Sequence, residues 1–212
     1  MLDSTNQALE AALDNQLCIG QILIRKTNGG FVLSHRDDEG HSDLRIFRNL
    51  EEALKIARYD DAGNYRPLKT APNLRRGWRL EVASLEQLER ALDHFYPGRL
   101  AMFAAWKDNR LISTPLRETL DRQSGMYRVA SKISDAQIDD LVANFCRSDG
   151  GCLRTILWKR NTSGAIASTK LPNEKFDPSH DQTGHGKKVI PLLCQEACNL
   201  LVAECRKVVR GE

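Results

Sequence analysis

At 212 residues, with 41% hydrophobic and 28% charged side chains, the chain can bury one core or two small ones without disulfide staples. The 31 Lys and Arg against 28 Asp and Glu leave a net charge of +3, too little to argue for nucleic acid. No apolar run approaches the roughly 18 residues of a membrane span, and Met1 to Gln16 lacks the pattern of a signal peptide, so the sequence reads as cytoplasmic, with reduced cysteines.

In chain order, Ser4 to Asn15 carries Leu9, Ala12 and Leu13 at helical spacing. Ile19 to Arg25 and Phe31 to His35 read as two strands joined at Asn28-Gly29-Gly30, a hairpin signature. Leu44 to Phe47 is a third strand. Asn49 caps a helix to about Arg58 whose expected buried side is Leu50, Leu54 and Ala57. The stretch Ala62 to Leu80 then holds Arg66, Lys69, Arg75, Arg76 and Arg79 with no acidic residue. Ser84 caps a helix from Leu85 to Phe95, which Tyr96-Pro97-Gly98 stops.

Further helices are expected over Leu100 to Trp106, Pro115 to Asp121, and Asp135 to Phe145, the last ending at Cys146. Arg160 to Lys188 is polar and aperiodic, as a long functional loop is. Pro191 is expected to open a final helix running to about Arg210. The fold class is therefore α+β. A small antiparallel sheet with helices occupies residues 1–130, and a mainly helical, cysteine-bearing part occupies 131–212.

Four of the six cysteines form two close pairs, Cys146 with Cys152 and Cys194 with Cys198. In a reducing compartment such pairs point to metal or redox chemistry, although buried free cysteine is also an ordinary core residue. That plainer reading suits Cys205 and Cys18. On a helix, Cys194 and Cys198 would stand about 5–6 Å apart, a spacing nearer to two corners of a [4Fe–4S] cubane than to the roughly 3.8 Å between sulfurs on one zinc. The flexible C-x5-C loop, through Gly150 and Gly151, would supply the other two ligands. Zinc is the alternative.

The run Cys152-Leu-Arg-Thr-Ile-Leu-Trp158, with Ile190-Pro-Leu-Leu-Cys-Gln-Glu-Ala-Cys-Asn-Leu-Leu201, resembles the iron–sulphur domain appended to some sirohydrochlorin cobaltochelatase-like proteins. Tyr65-Arg-Pro-Leu-Lys-Thr-Ala-Pro-Asn-Leu-Arg-Arg-Gly-Trp78 and Arg122-Gln-Ser-Gly-Met-Tyr-Arg128 resemble the stabilising domain of that extension. The resemblance implies a [4Fe–4S] cluster on Cys146, Cys152, Cys194 and Cys198, here without the chelatase domain. It also places the chain near sirohaem and cobalamin metabolism, with a chelatase-like or redox protein as partner. Ala197 stands where the resemblance leads one to expect proline.

The basic segment Arg66, Lys69, Arg75, Arg76 and Arg79 is a candidate site for an anionic tetrapyrrole, a phosphate or an acidic partner. Its plainer reading is a solvated loop paired with Asp60, Asp61 and Glu81. His180 and His185, beside Asp177 and Asp181, are candidate extra ligands or exposed histidines. Trp158 and Tyr127 are candidate shields of a cluster or plain core. No nucleophile elbow, P-loop or dinucleotide fingerprint is present. Three functions follow: a cluster-binding protein with an electron-transfer, redox-sensing or accessory role, a zinc-stapled interaction module with a basic binding segment, or an enzyme whose partner polypeptide supplies the missing catalytic domain.

Overall fold

The computed structural model describes residues 4–13, 15–122, 125–147, 151–167 and 188–212. The first elements are α1 (Ser4–Ala12), β1 (Gln16–Ile19), β2 (Ile22–Thr27), β3 (Gly30–His35), β4 (Arg45–Phe47), α2 (Leu50–Arg58), β5 (Trp78–Val82), α3 (Leu85–Phe95) and α4 (Arg99–Lys107). There follow α5 (Leu116–Arg122), a 3-10 stretch Gly125–Lys132, α6 (Asp135–Leu141), a π-turn Val142–Cys146, β6 (Thr155–Ile156), β7 (Lys188–Ile190), β8 (Leu193–Cys194) and α7 (Asn199–Arg210). They form two compact units, Met1–Arg110 with Asp177–Leu192, and Leu111–Phe176 with Leu193–Glu212. The break expected near residue 130 thus falls at Arg110, and the chain returns to the first unit late, through β7.

In the first unit six strands pair in the order β4-β5-β3-β2-β1-β7. The fold is α+β as expected, but the sheet is mixed: its centre is antiparallel, and β4/β5 and β1/β7 are parallel. Leu33 sits opposite Ile24 on one side and Leu80 on the other. All three are fully buried, each contributing about 1.5–3 kcal/mol by leaving water. Trp78, Leu80 and Val82 alternate inward along β5. Trp78 stacks on Phe95 of α3 with ring centroids 5.1 Å apart.

Three local expectations change here. The strand expected from Ile19 to Arg25 is broken by a turn at Gly20, whose φ of 55° suits glycine, so β1 is a separate strand. The strand β5 begins inside the stretch with the plainer reading of a solvated loop, because its W-R-L-E-V alternation outweighs its charges. The caps of α2 and α3 form as expected, with Asn49 accepting from the Glu51 N–H and Ser84 from the Gln87 N–H. Yet α2 buries Ala53, Ile56 and Ala57, while Leu54 is exposed. Small residues let that helix approach closely.

The second unit packs α5, α6, α7 and the 3-10 stretch around Leu116, Leu120, Ile138, Val142, Trp158, Leu201 and Val202. Ser134 and Gln137 form a capping box at the start of α6. Arg117 braces the turn before it, donating to the Ser131 and Ile133 carbonyls and pairing with Asp135 at 2.7 Å. The final helix differs most from expectation. It begins at Asn199 rather than at Pro191, and Lys188–Cys194 forms two short strands. Residues 190–194 are buried without a break, the pattern of an inner strand, and proline disfavours helix at the preceding Ile190.

Candidate metal centre

Each of the four paired cysteines is delivered by a different local structure. Cys146 ends the π-turn, where the chain adds one residue to the helical repeat and the Arg147 N–H closes back on Val142 O at 3.1 Å. The Cys152 N–H donates to Cys146 O at 2.9 Å, which closes the C-x5-C loop upon itself. Cys194 is the last residue of β8, 8% exposed, and its carbonyl accepts the Leu157 N–H at 2.9 Å. Cys198 is the N-cap of α7, with φ −77° and ψ 160°, and its side chain makes no capping bond. The helical i,i+4 spacing expected for Cys194 and Cys198 is therefore absent. One lies on a strand, the other at a helix start.

The four sulfurs nevertheless act on one another. Burial pushes the Cys146 thiol up to about 12, and the thiolates of Cys198, Cys152 and Cys194 push it in the same direction. Cys194 is likewise raised by burial, against the pull of Arg154 and of the nearby Trp158 side chain, with Cys198 and Cys152 adding to the rise. Its thiol donates to Glu196 O at 3.2 Å. None of the six cysteines is in a disulfide. Among the described residues, no three His, Cys, Asp or Glu close around a point as ligands of a single ion do. Four free thiols, one buried and three half-buried, that repel one another as thiolates suit a group that spreads positive iron among them, so the residues present fit a cluster.

Cys205 is fully buried on α7 and raised to about 11, mainly by burial, and Cys18 is a buried residue of β1 in the other unit. Two neighbours of the cysteines carry unpaired buried groups. The Trp158 indole Nε1 and the Arg147 Nε have no hydrogen-bond partner of ordinary geometry. The Arg147 guanidinium is itself lowered by burial and held up by Cys146 and Cys194. Sequence reasoning passed over Arg147, although a cation directly after a candidate ligand is a visible signal.

The basic segment does not present five cations together. Arg66 is 1% exposed, and its guanidinium donates to Ala57 O, Lys69 O, Ala71 O and Asn73 Oδ1 at 2.8–3.2 Å. Lys69 donates to Ala57 O at 3.1 Å and lies over the Tyr65 ring. Arg76 pairs with Asp37 at 2.8 Å, and its backbone N–H donates to Asp61. Arg79 pairs with Glu81 at 2.9 Å. The Arg75 carbonyl accepts the Trp78 indole N–H. Arg66 and Lys69 thus tie the segment to α2 and to itself, and the outward charge is left to Arg75, Arg76 and Arg79. Asp177, His180, Asp181, His185, Gly150 and the Tyr127 side chain lie outside the described residues.

Residues 3–110 match the family described as the DR2241 stabilising domain, and residues 108–207 match a 4Fe-4S iron–sulfur cluster binding domain. The two matches meet where the structure divides, at Arg110. Among solved structures the chain is similar to DR2241 from Deinococcus radiodurans, described as a multi-domain protein with structural similarity to chelatases and two additional novel domains. The identity is 30% and the TM-score 0.75, over 98% of this chain and 41% of that one. The chain thus spans under half the length of that neighbour. No curated protein matches it. All four paired cysteines fall inside the cluster-binding match, so the cofactor is a [4Fe–4S] cluster and the zinc alternative is set aside.

Proposed function

We propose, for a chain that belongs to the DR2241 stabilising-domain family, that Cys146, Cys152, Cys194 and Cys198 each hold one iron of its [4Fe–4S] cluster. On this reading it works in the cytoplasm as an electron-transfer accessory to a chelatase-like enzyme of tetrapyrrole metabolism. The observation that carries the ligand assignment is the gathering of four free thiols, one buried and three half-buried, from two distant stretches of chain into one compact unit, with Cys146, Cys194 and Cys198 against the same apolar core and the Cys152 N–H bonded to Cys146 O. When bound, the cluster supplies one-electron chemistry. The chain's own residues supply four thiolates, exclude water with Trp158, Ile156 and Val142, and place cations beside the sulfurs. Four cysteine ligands leave no iron open to a substrate, which favours electron transfer over Lewis-acid chemistry.

The neighbour supports this choice of partner. DR2241 is described as similar to chelatases, so a chelatase-like protein or domain is the partner the likeness favours. Arg75, Arg76 and Arg79 are the cations available to a carboxylate-rich tetrapyrrole. Anaerobic purification with iron and sulfide assays tests the assignment: about four of each per chain, with broad visible absorption, are expected. Full iron in both Cys194→Ser and Cys198→Ser would overturn the ligand set. Anaerobic gel filtration with a chelatase-like protein tests the partner, and failure of the two to co-elute would overturn that half.

A further inference from the structure

Trp158 is a fully buried tryptophan whose indole N–H has no ordinary acceptor. An unpaired buried donor costs about 1–3 kcal/mol, so its persistence in a core calls for a partner that forms when the protein is loaded. The strand pairing shows which partner it is. Ile156 and Cys194 are register partners of the parallel β6/β8 pair, and the next N–H, that of Leu157, donates to Cys194 O. Side chains alternate along an extended chain, so Trp158 falls on the same side as Ile156 and hence as Cys194. Trp158 and Cys194 also belong to one apolar core. Arg147, directly after Cys146, also keeps a buried Nε unpaired.

We propose that the Trp158 indole N–H donates to the Cys194 sulfur of the loaded protein, and that the Arg147 guanidinium is the counter-charge of the Cys146 and Cys194 thiolates, so that both residues favour the more negative, reduced cluster. This rests on the four-cysteine assignment above. Four thiolates around the cluster carry a net charge of about −2, which becomes about −3 when one electron arrives. A donor aimed at sulfur and a half-buried cation each stabilise the second state more than the first, which raises the reduction potential.

The test is an anaerobic redox titration of the loaded full chain, with dithionite as the one-electron reductant. Trp158→Phe keeps the ring and removes the N–H, Arg147→Gln removes the charge, and Arg147→Lys restores it. Trp158→Phe and Arg147→Gln are each expected to lower the equilibrium constant for reduction on the order of tenfold, a downward shift of about 59 mV. Arg147→Lys should stay near wild type, as should Arg210→Gln, whose cation lies at the far end of α7. Wild-type protein should also show a shift of an iron–thiolate stretching band on exchange into heavy water that Trp158→Phe lacks. That measurement decides the hydrogen bond if the variant's potential is unobtainable. Potentials unchanged from wild type in Trp158→Phe and Arg147→Gln, at full iron content, would overturn the proposal and leave the ligand set standing. Full iron in the Cys194→Ser and Cys198→Ser proteins would overturn the ligand set instead.

Discussion

Replacing Arg66 by methionine separates a structural arginine from a ligand-binding one. The guanidinium donates to four acceptors, but Lys69 is a second donor to Ala57 O, so the change orphans three: Lys69 O, Ala71 O and Asn73 Oδ1. Those three bonds are only partly buried, so each loss takes the low end of the range, about 1 kcal/mol. Relief of a buried charge, visible in the lowered Arg66 pKa, offsets part of the sum. Methionine keeps most of the packed volume. A net loss of about 2–3 kcal/mol is expected, or roughly 10–20 °C in Tm for a unit of this size. The assay is thermal unfolding followed by circular dichroism. Arg76→Met, which breaks only an exposed pair with Asp37, is the comparator and should cost less than about 1 kcal/mol. An Arg66→Met protein that melts with wild type, yet loses affinity for an anionic tetrapyrrole, would refute the structural reading.

Three further outcomes are expected. Cys198→Ala should lose the iron and the visible absorption, whereas Cys205→Ala should keep both and lose about 1–2 kcal/mol of stability to the small void left on α7; equal iron loss in the two would remove the distinction between ligand and core cysteine. Tyr96, raised to about 12 mainly by burial, accepts the Gln21 N–H. Because its folded pKa lies above the ordinary 10.0, its contribution is intact below pH 10 and disappears as pH rises towards 12. Urea titrations between pH 9 and 12 should show that slope flattened in Tyr96→Phe. Gly20→Ala should cost about 2–4 kcal/mol, because φ is +55° and a Cβ would stand 2.6 Å from the Tyr96 hydroxyl. A melting point unchanged by that substitution would contradict the close approach of β1 to Tyr96.

What the chain order reveals and what it hides divide along a physical line. Caps and amphipathic helices are local, so Asn49, Ser84 and Ser134 mark their helices in the sequence as they do in space. The strand pairing of β7 depends on partners more than 150 residues apart, Cys18 with Val189 among them, and no local pattern encodes that pairing. The same holds at the cysteines. Steps of four, three and four from Cys194 to Cys205 read as one helical face, but Leu193 and Cys194 pair as a strand with Thr155 and Ile156, and the helix begins only after Cys198. Residue types indicated the cofactor. Tertiary pairing decided how the ligands are held. Arg66 is a third case: its charge is plain in the sequence, whereas its burial depends on carbonyls from α2 and from the loop after it.

The N-cap position of Cys198 yields an expectation that a helical C-x3-C would not. Its φ of −77° and ψ of 160° are those from which Ser, Thr, Asp or Asn accepts the N–H of the first turn, but the thiol makes no such bond. The first-turn N–H groups of α7 and its positive dipole end are therefore left beside a sulfur, where a thiolate ligand benefits from them. Cys198→Ser places a hydroxyl on a backbone already set for capping. In the metal-free chain it should add about 0.5–1.5 kcal/mol of stability, measured by urea unfolding under chelator. In the loaded chain it should cost the iron, because an alcohol does not replace a thiolate on a soft metal site. Opposite signs in the two assays are the signature of a residue whose position is structurally suited to serine and chemically reserved for cysteine. A serine variant that stabilised the metal-free chain and kept its cluster would mean that the cap is free of iron, and the fourth ligand would then have to be sought elsewhere in the second unit.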